Sequence, residues 1–518
     1  MVSGTNPWVV GIFIVYFIVL LYFGLIGYRK TKTLADYLVA GNSMGLLLGV
    51  GTFAATWMSA VSLLGLPGYI YAYGLNGIYY GVGSWFFATV PIIILAYKLR
   101  RKPVTTVPEF YLARYNSRPL QALGGALIAL FYILYVVIQL RGFGIVVNTM
   151  TGIPYEWAVI GCWVFLIYTT FGGFYSVAWT DLMNFIVLTI GAWVAAIAGI
   201  AMSGGLGEMF ATLNSLGTVP LEGAKGMPGK VTPPGGLLDA WTLTLWPWLT
   251  MVGVFMGWGL GHAANPQYAV RLLASRDIPT AARMGGYSVA AMCFSYLGVI
   301  LAGLAARALV PTLPAKVGSI DYALPYVANQ LFHPILVGFL LTGIAAAAIS
   351  SANSQLLLMA SGISYDIVKF FRPNIDDKKL LTYSKAAVAL GSLVSLAIAL
   401  NPPKAVLIFG GYVWGLFAAT FLAPVYLGCF WKRGTKEGAF VGIILGFIAA
   451  VLWTPMWTGM GGKSPVHPAV LGVVASVAGY VVASLLSKPT PVENLKHYFD
   501  DVEGEARGSS PSQTVVSG

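Results

Sequence analysis

The chain has 518 residues, of which 58% are hydrophobic and 9% charged, and its mean hydropathy is +0.78. A water-soluble fold is excluded, because water-facing domains carry about a quarter of their residues charged. The 30 Lys and Arg against 18 Asp and Glu would suggest nucleic acid in a soluble protein, so this excess is first set against topology.

The opening MVSGTNPWVV lacks the basic start and small-residue cleavage site of a secretory signal, and its apolar run continues to Tyr28, as in a retained anchor. A spanning helix takes about 20 mostly apolar residues. Thirteen segments qualify: 8–28, 44–72, 75–97, 120–148, 155–171, 177–203, 241–265, 285–310, 334–364, 381–400, 405–430, 438–457 and 466–486. Such continuous runs are not those of a β-barrel, which alternates over short segments. With the N-terminus outside, 23 of the 30 basic residues, Arg29 through Arg507, fall in inner loops and six fall in outer ones. Arg141 alone is left within the membrane. The bias predicts N-terminus outside and C-terminus inside, so the positive excess is a cytoplasmic address and no nucleic-acid partner is implied. Cys162, Cys293 and Cys429 show no paired spacing, hence no disulfide framework or metal cluster. The Gly- and Pro-rich stretch 204–240 is expected to cap the outer face. Beyond Lys488 the polar text reads as a disordered cytoplasmic tail.

Three segments are irregular. The second contains AATWMSAVSLLGLPGY, interrupted by Gly65, Pro67 and Gly68, and the seventh contains GVFMGWGLGHAANPQ, with Gly253, Gly257, Gly259 and Gly261 before Pro266. Freed backbone at membrane depth is tolerated where it lines a cavity or is buried in protein. Two interrupted helices five apart therefore predict an inverted repeat around a midplane binding site, although the same glycines also suit ordinary helix packing. In the ninth segment, Ala347, Ser350 and Ser351 place one carbonyl and two hydroxyls on a single helix face, a donor set that suits a small hard cation. Serines in helices also bond back to the preceding turn. Asp181, near the start of the sixth segment, is the acid placed deep in the helical text, and intramembrane carboxylates are functional candidates or helix caps.

FGGFYSVAWTDLMNFIVL at 171–188, GLPG in the second segment, MGWGLG in the seventh and ISSANSQLLLMASGISYDIVK in the ninth together resemble the solute:sodium symporter family, which includes proline and pantothenate permeases. The resemblance runs to about residue 486. It implies an all-α polytopic membrane protein with a LeuT-type five-plus-five inverted repeat. The parts would be an extra helix and loop (1–43), the first repeat (44–203), an outer loop (204–240), the second repeat (241–430), two C-terminal helices (431–487) and the tail (488–518). It also implies Na+ as coupling ion, held by the carbonyls of Ala55, Met58 and Ala347 and the hydroxyls of Ser350 and Ser351. Asp181, in the WTD motif, would lie on the sodium route to the cytoplasm.

Carried over from proline permease by the same resemblance, the substrate-lining positions fall on Tyr135, Trp258 and His262, with Gln139 one turn from Tyr135 on the same face, although such aromatics also serve as packing or interface anchors. Two positions depart from the proline permease pattern: Trp57 replaces an acid and Asn42 a basic residue. TGIPYE and LNPPKAV look more like pantothenate permease and monocarboxylate carriers. Arg141 offers the planar donor pair that a carboxylate substrate would accept, yet on an ideal helix it sits roughly 120° from Tyr135 and could face another helix. The expectation is a sodium-coupled importer in the cell membrane, working by alternating access on a small organic solute. A carboxylate such as pantothenate or a short monocarboxylate comes first; proline or another amino acid, or proton coupling, are the alternatives. No enzyme activity and no obligatory protein partner are expected.

Overall fold

The structure, a computed structural model, describes residues 6–31, 33–99, 101, 104–217, 233–240, 248–314, 317, 319–402 and 406–499. Ten of its helices are long and apolar enough to cross a bilayer: α1 (Pro7–Lys30), α3 (Ile78–Leu99), α4 (Arg118–Thr151), α6 (Gly173–Met202), α8 (Ile278–Leu309), α9 (Pro334–Phe371), α10 (Asp377–Ala399), α11 (Val406–Phe430), α12 (Lys436–Met456) and α13 (Pro468–Leu486). An eleventh span is the bent pair α2a (Leu46–Trp57) and α2b (Val61–Tyr73), whose halves meet at 56°. Two expected segments are shorter. α5 (Tyr155–Thr170) has 16 residues. α7 comes in pieces: Trp248–Phe255 runs through the π-helical Met256–Leu260 into Gly261–Ala264, together α7a, and Pro266–Leu273 forms α7b. Residues 241–247 of that segment lie outside the described residues.

Helix starts reflect local chemistry. Asn6 accepts from the Trp8 N–H at 3.0 Å ahead of Pro7, Ser117 from Leu120 at 3.3 Å ahead of Pro119, and Asp277 from Thr280 at 2.6 Å ahead of Pro279. Each pairs a capping oxygen with a proline in the first turn, where its missing N–H costs nothing.

The break in α2 is not at Gly65, Pro67 and Gly68. It falls at Met58, which is extended (φ −86°, ψ 105°), and Ser59. Pro67 instead stands in the first α-helical turn after the π-helical Val61–Gly65 and the helix runs on through it. Gly68 serves packing, since a Cβ there would lie 2.3 Å from the Ile320 carbonyl oxygen. In α7 the break is made by Asn265, again extended, with Pro266 opening α7b. The glycines before it let neighbours close in: a Cβ on Gly261 would stand 2.4 Å from the Trp414 carbonyl oxygen of α11.

Elsewhere the bundle is held at small-residue crossings. α6 and α9 meet at Gly191 and Gly343, where a methyl on Gly343 would lie 3.2 Å from the Gly191 Cα. α12 packs on α13 through Gly438, Gly442 and Gly446. The chain after Lys488 is not disordered throughout. Val492–Leu495 forms a short helix, Tyr498 is buried edge-on to Phe110 at 5.3 Å, and its carbonyl accepts from Lys98 Nζ at 2.8 Å. Residues 500–518 lie outside the described residues. So do residues 218–232 of the outer connection, of which Leu206–Ser215 is helical and the Leu237 carbonyl receives the Leu75 N–H at 2.8 Å.

Candidate functional site

At the α2 break, side chains replace the missing helical partners. The Ser59 N–H donates to Ser62 Oγ at 3.3 Å, the Ala60 N–H to Gln139 Oε1 at 3.2 Å, and the Val61 N–H to Ser59 Oγ at 3.1 Å. Gln139, expected on the solute, thus caps α2b from α4. With those N–H groups engaged elsewhere, the carbonyls ending α2a are released. The Met58 N–H closes the last turn on Ala54, while the Ser62 N–H bonds Ser59 O and not Met58 O.

The face of α9 lies against these carbonyls. Ser350 Oγ is 3.1 Å from Ala55 O and 3.0 Å from Ala347 O. One hydroxyl hydrogen serves both carbonyls, so the cluster keeps oxygen lone pairs that no hydrogen fills. Ala55, Ala347 and Ser350 are therefore brought together as expected, at a site whose donors are the neutral oxygens a hard cation prefers. Ser351 reaches the next carbonyl, Thr56 O, at 3.3 Å. Met58 supplies the turn itself.

Below the oxygen cluster is a buried polar node. Ser354 Oγ donates to Ser350 O at 2.9 Å and in turn receives Arg271 Nη2. Arg271 also donates to Thr52 O at 3.1 Å, to Gln267 O at 2.7 Å and to Asp181 Oδ2 at 3.2 Å, and Thr52 Oγ1 donates to the same Asp181 oxygen at 2.6 Å. The two breaks are stitched directly, since Gln267 Nε2 bonds Thr56 O at 2.9 Å and Thr56 Oγ1 at 2.5 Å.

Two expectations are corrected by this node and its surroundings. Arg271 is no inner-loop cation but a fully buried side chain of α7b, and Asp181 is an acid with a dedicated partner. Arg141 is not left for the solute either: its Nη2 pairs with Asp321 Oδ2 at 2.9 Å, and that oxygen also accepts the Val406 N–H at 3.3 Å. Asp321 sits in the connection between α8 and α9, so the pair joins α4, that connection and the start of α11.

Between the breaks lies an aromatic cage. Trp57 packs on Tyr268 at 4.3 Å and His262 at 4.8 Å; Tyr135 stacks on Trp414 at 3.9 Å with the planes 7° apart; Trp258 meets Trp85 edge-on at 5.3 Å. His262 is fixed at both nitrogens. Nδ1 lies 2.7 Å from the Trp258 carbonyl, an acceptor only, and Nε2 accepts from Trp414 Nε1, a donor only, at 3.0 Å. These partners dictate the neutral Nδ1–H tautomer. The indole nitrogens of Trp57, Trp85 and Trp258 and the amide nitrogen of Gln139 are buried donors without a protein acceptor among the described residues.

Trp85, Tyr268, Trp414, Gln267 and Arg271 escape the sequence reading. For Arg271 a signal exists, because it lies only five residues past Pro266 in a helix whose every residue is buried. Asp321 gives none, since SIDYALP reads as an ordinary capped turn in a loop.

Broken helices around an oxygen cluster define an ion-coupled membrane transporter. The family model described as the sodium:solute symporter family matches residues 37–446, and the chain belongs to that family. It is 28% identical over 495 residues to the high-affinity proline transporter PutP of Bacillus subtilis, covering 93% of this chain and 99% of that one. It is also 28% identical over 500 residues to a sodium/proline symporter of Staphylococcus aureus, covering 92% of each. Among solved structures it resembles a Na+-coupled sialic acid symporter in a substrate-bound outward-open state, with a TM-score of 0.78 at 19% identity over 94% of this chain and 100% of that one. Mhp1, a nucleobase-cation-symport-1 family transporter, is similar with a TM-score of 0.58 at 12% identity over 92% and 99%. The fold is thus the LeuT-type fold of sodium symporters. The chain is a multi-pass cell-membrane protein that couples a small organic solute to sodium, and it is a transporter, not an enzyme.

Proposed function

We propose that this chain is a sodium/proline symporter, with the N-terminus outside, in which sodium enters at Ala55, Met58, Ala347, Ser350 and Ser351 and the solute occupies the cage lined by Trp57, Tyr135, Trp258 and His262. The observation that carries the reading is the adjacency, at the α2 break, of an under-protonated oxygen cluster and a cage whose N–H donors have no partner among the described residues. The proline-transporting relatives, aligned over more than nine-tenths of this chain, favour proline over the carboxylates first expected. The chemistry is compatible. A carboxylate accepts from indole and amide N–H groups, and a ring ammonium without an acid beside it lies over aromatic faces.

Sodium binding ties α2 to α9, the solute fills the cage, and the outer side closes with Arg141 on Asp321. Exit toward the cytoplasm then passes the Asp181 node, where Asp181 Oδ1 has no partner among the described residues. Sodium and solute favour the same closed state, so each raises affinity for the other.

A second reading, uptake of pantothenate or a short monocarboxylate, draws support from Trp57 in place of an acid. Proton coupling is disfavoured at the cage, because protonating His262 Nε2 would displace the Trp414 donor. The deciding measurement is uptake of labelled proline, pantothenate, lactate, acetate and pyruvate into vesicles holding the purified chain, with a sodium gradient or with a pH gradient and no sodium. Sodium-dependent proline uptake that unlabelled proline abolishes is expected; sodium-dependent uptake of a carboxylate with none of proline would sink the proline assignment.

A further inference from the structure

One large apolar cavity lies apart from the oxygen cluster, the cage and both ion pairs. A groove of about 540 Å³ runs along α1 between α6 and α9, lined by Trp8, Val15 and Val19 from α1, Val187 and Ile190 from α6 and Phe339 from α9. It carries no charged side chain. Water has no reason to fill such a surface, which presents almost no hydrogen-bonding partners. Its position says what does. Trp8 stands at the start of α1, is 63% exposed, and marks an interfacial mouth. From Trp8 to Val19 the groove tracks eleven residues of helix, about 16 Å at the usual rise, which is about half the thickness of a hydrocarbon core. The groove is therefore as long as one leaflet is deep, with its mouth at the headgroup level, and its one hydroxyl from α1, that of Tyr16, is already engaged by Asn184 Oδ1 at 2.9 Å.

We infer that this groove seats one acyl chain of a phospholipid from the leaflet into which Trp8 opens, and that the chain acts as a packing element between α1 and two helices, α6, which carries Asp181, and α9, which carries Ala347, Ser350 and Ser351. Val187 lies six residues beyond Asp181 on α6, and Thr342 lies five before Ala347 on α9. An acyl chain held there biases the relative tilt of α6 and α9, and through it the sodium site. The sodium half of this inference rests on the site proposed above; the binding half does not.

Gly11 provides the test, because it lines the groove and a Cβ there would meet nothing within 4 Å. Gly11→Leu should push a side chain into the groove and obstruct it without disturbing the bundle. Gly161→Leu, on the lipid-facing side of α5 and equally open, is the control. The full chain is reconstituted in phosphatidylethanolamine and phosphatidylglycerol vesicles containing a phospholipid with a photoactivatable acyl chain, and the labelled peptides are mapped. Labelling concentrated on Val15, Val187 and Phe339, lost in Gly11→Leu and kept in Gly161→Leu, is the expected result. Labelling spread evenly over all lipid-facing helices and indifferent to Gly11→Leu would overturn it. So would a cross-linked dimer through the Trp8 face, which would assign the groove to a second copy, or loss of labelling in Thr342→Val, which would assign it to a ligand recognised by a hydroxyl. In the same vesicles, Gly11→Leu should shift the half-maximal sodium concentration for uptake about fivefold, the low end of coupling between distinct sites. An unchanged sodium dependence with labelling lost would overturn the coupling while leaving the acyl site and the sodium site standing.

Discussion

The two buried ion pairs share their chemistry and differ in setting. Arg271 and Asp181 are both enclosed in the bundle, 1% and 0% exposed, within a node shared by α2a, α6, α7b and α9. Arg141 is 14% exposed and its partner Asp321 comes from a connection between helices. A pair sealed among four helices gains its stability only when every donor and acceptor is placed, and losing one partner strands a charge. A pair completed by a loop can be undone by moving the loop, with one member still near water. The first is suited to holding the bundle together and the second to opening.

Breaking the inner pair should therefore cost most. Arg271→Met leaves the Asp181 carboxylate without its cation, and a loss of about 3–5 kcal/mol is expected, seen as a large fall in the thermal midpoint of the purified protein. Asp181→Asn should also destabilise, because Arg271 keeps the Thr52 and Gln267 carbonyls but stays charged without its counter-ion, and the double variant should recover much of the loss. Equal damage from Arg271→Met and Asp321→Asn would erase the contrast with the outer pair. Asp321→Asn should cost less, about 1–3 kcal/mol, since Arg141 can turn toward solvent. Its main effect should be on transport, with the solute escaping more readily to the outside, measured as faster exchange of preloaded solute. Ser350→Ala, one turn from the inner node, should raise the half-maximal sodium concentration about tenfold, equivalent to about 1.4 kcal/mol, and Ser351→Ala, which touches a single carbonyl, by less. The smallest effect is expected on the outer pair's own helix. Gln139→Leu uncaps the Ala60 N–H at a cost of about 1 kcal/mol, and solute affinity should fall further than sodium affinity if its amide nitrogen also serves the cage.

The membrane class, most helix positions and the serine face of α9 are legible in the sequence, because apolar runs and i, i+3, i+4 spacing are local properties. The breaks are legible only to within several residues. Gly65, Pro67 and Gly68 look like the stronger interruption, yet a proline in the first turn after a π-helical stretch is tolerated, whereas Met58 and Ser59 break the helix because three side chains, one of them from α4, cap the start of α2b. Such capping is tertiary and leaves no mark at Met58. The ion pairs are hidden for the same reason. Arg141 and Asp181 stand out as lone charges within helices, but their partners lie 180 and 90 residues away, one of them counted among loop charges that set orientation. The cage is half visible: Trp57, Tyr135, Trp258 and His262 are expected in it, while Trp85, Tyr268 and Trp414 join through contacts across helices.

The crossing of α6 and α9 at Gly191 and Gly343 has a mechanical consequence. At this point the two helices touch backbone to backbone, with the buried Leu188 and Leu340 on either side. Alternating access by a tilt of α9 against α6 would take Gly343, the point of closest approach, as its fulcrum. Ser350 lies seven residues along the same lever, about 10 Å away, so a tilt of about 10° carries its hydroxyl by roughly 2 Å, the scale of helix shifts in switching proteins. That displacement would be enough to separate Ser350 from the Ala55 carbonyl, so at the proposed sodium site such a tilt would open the grip on the ion.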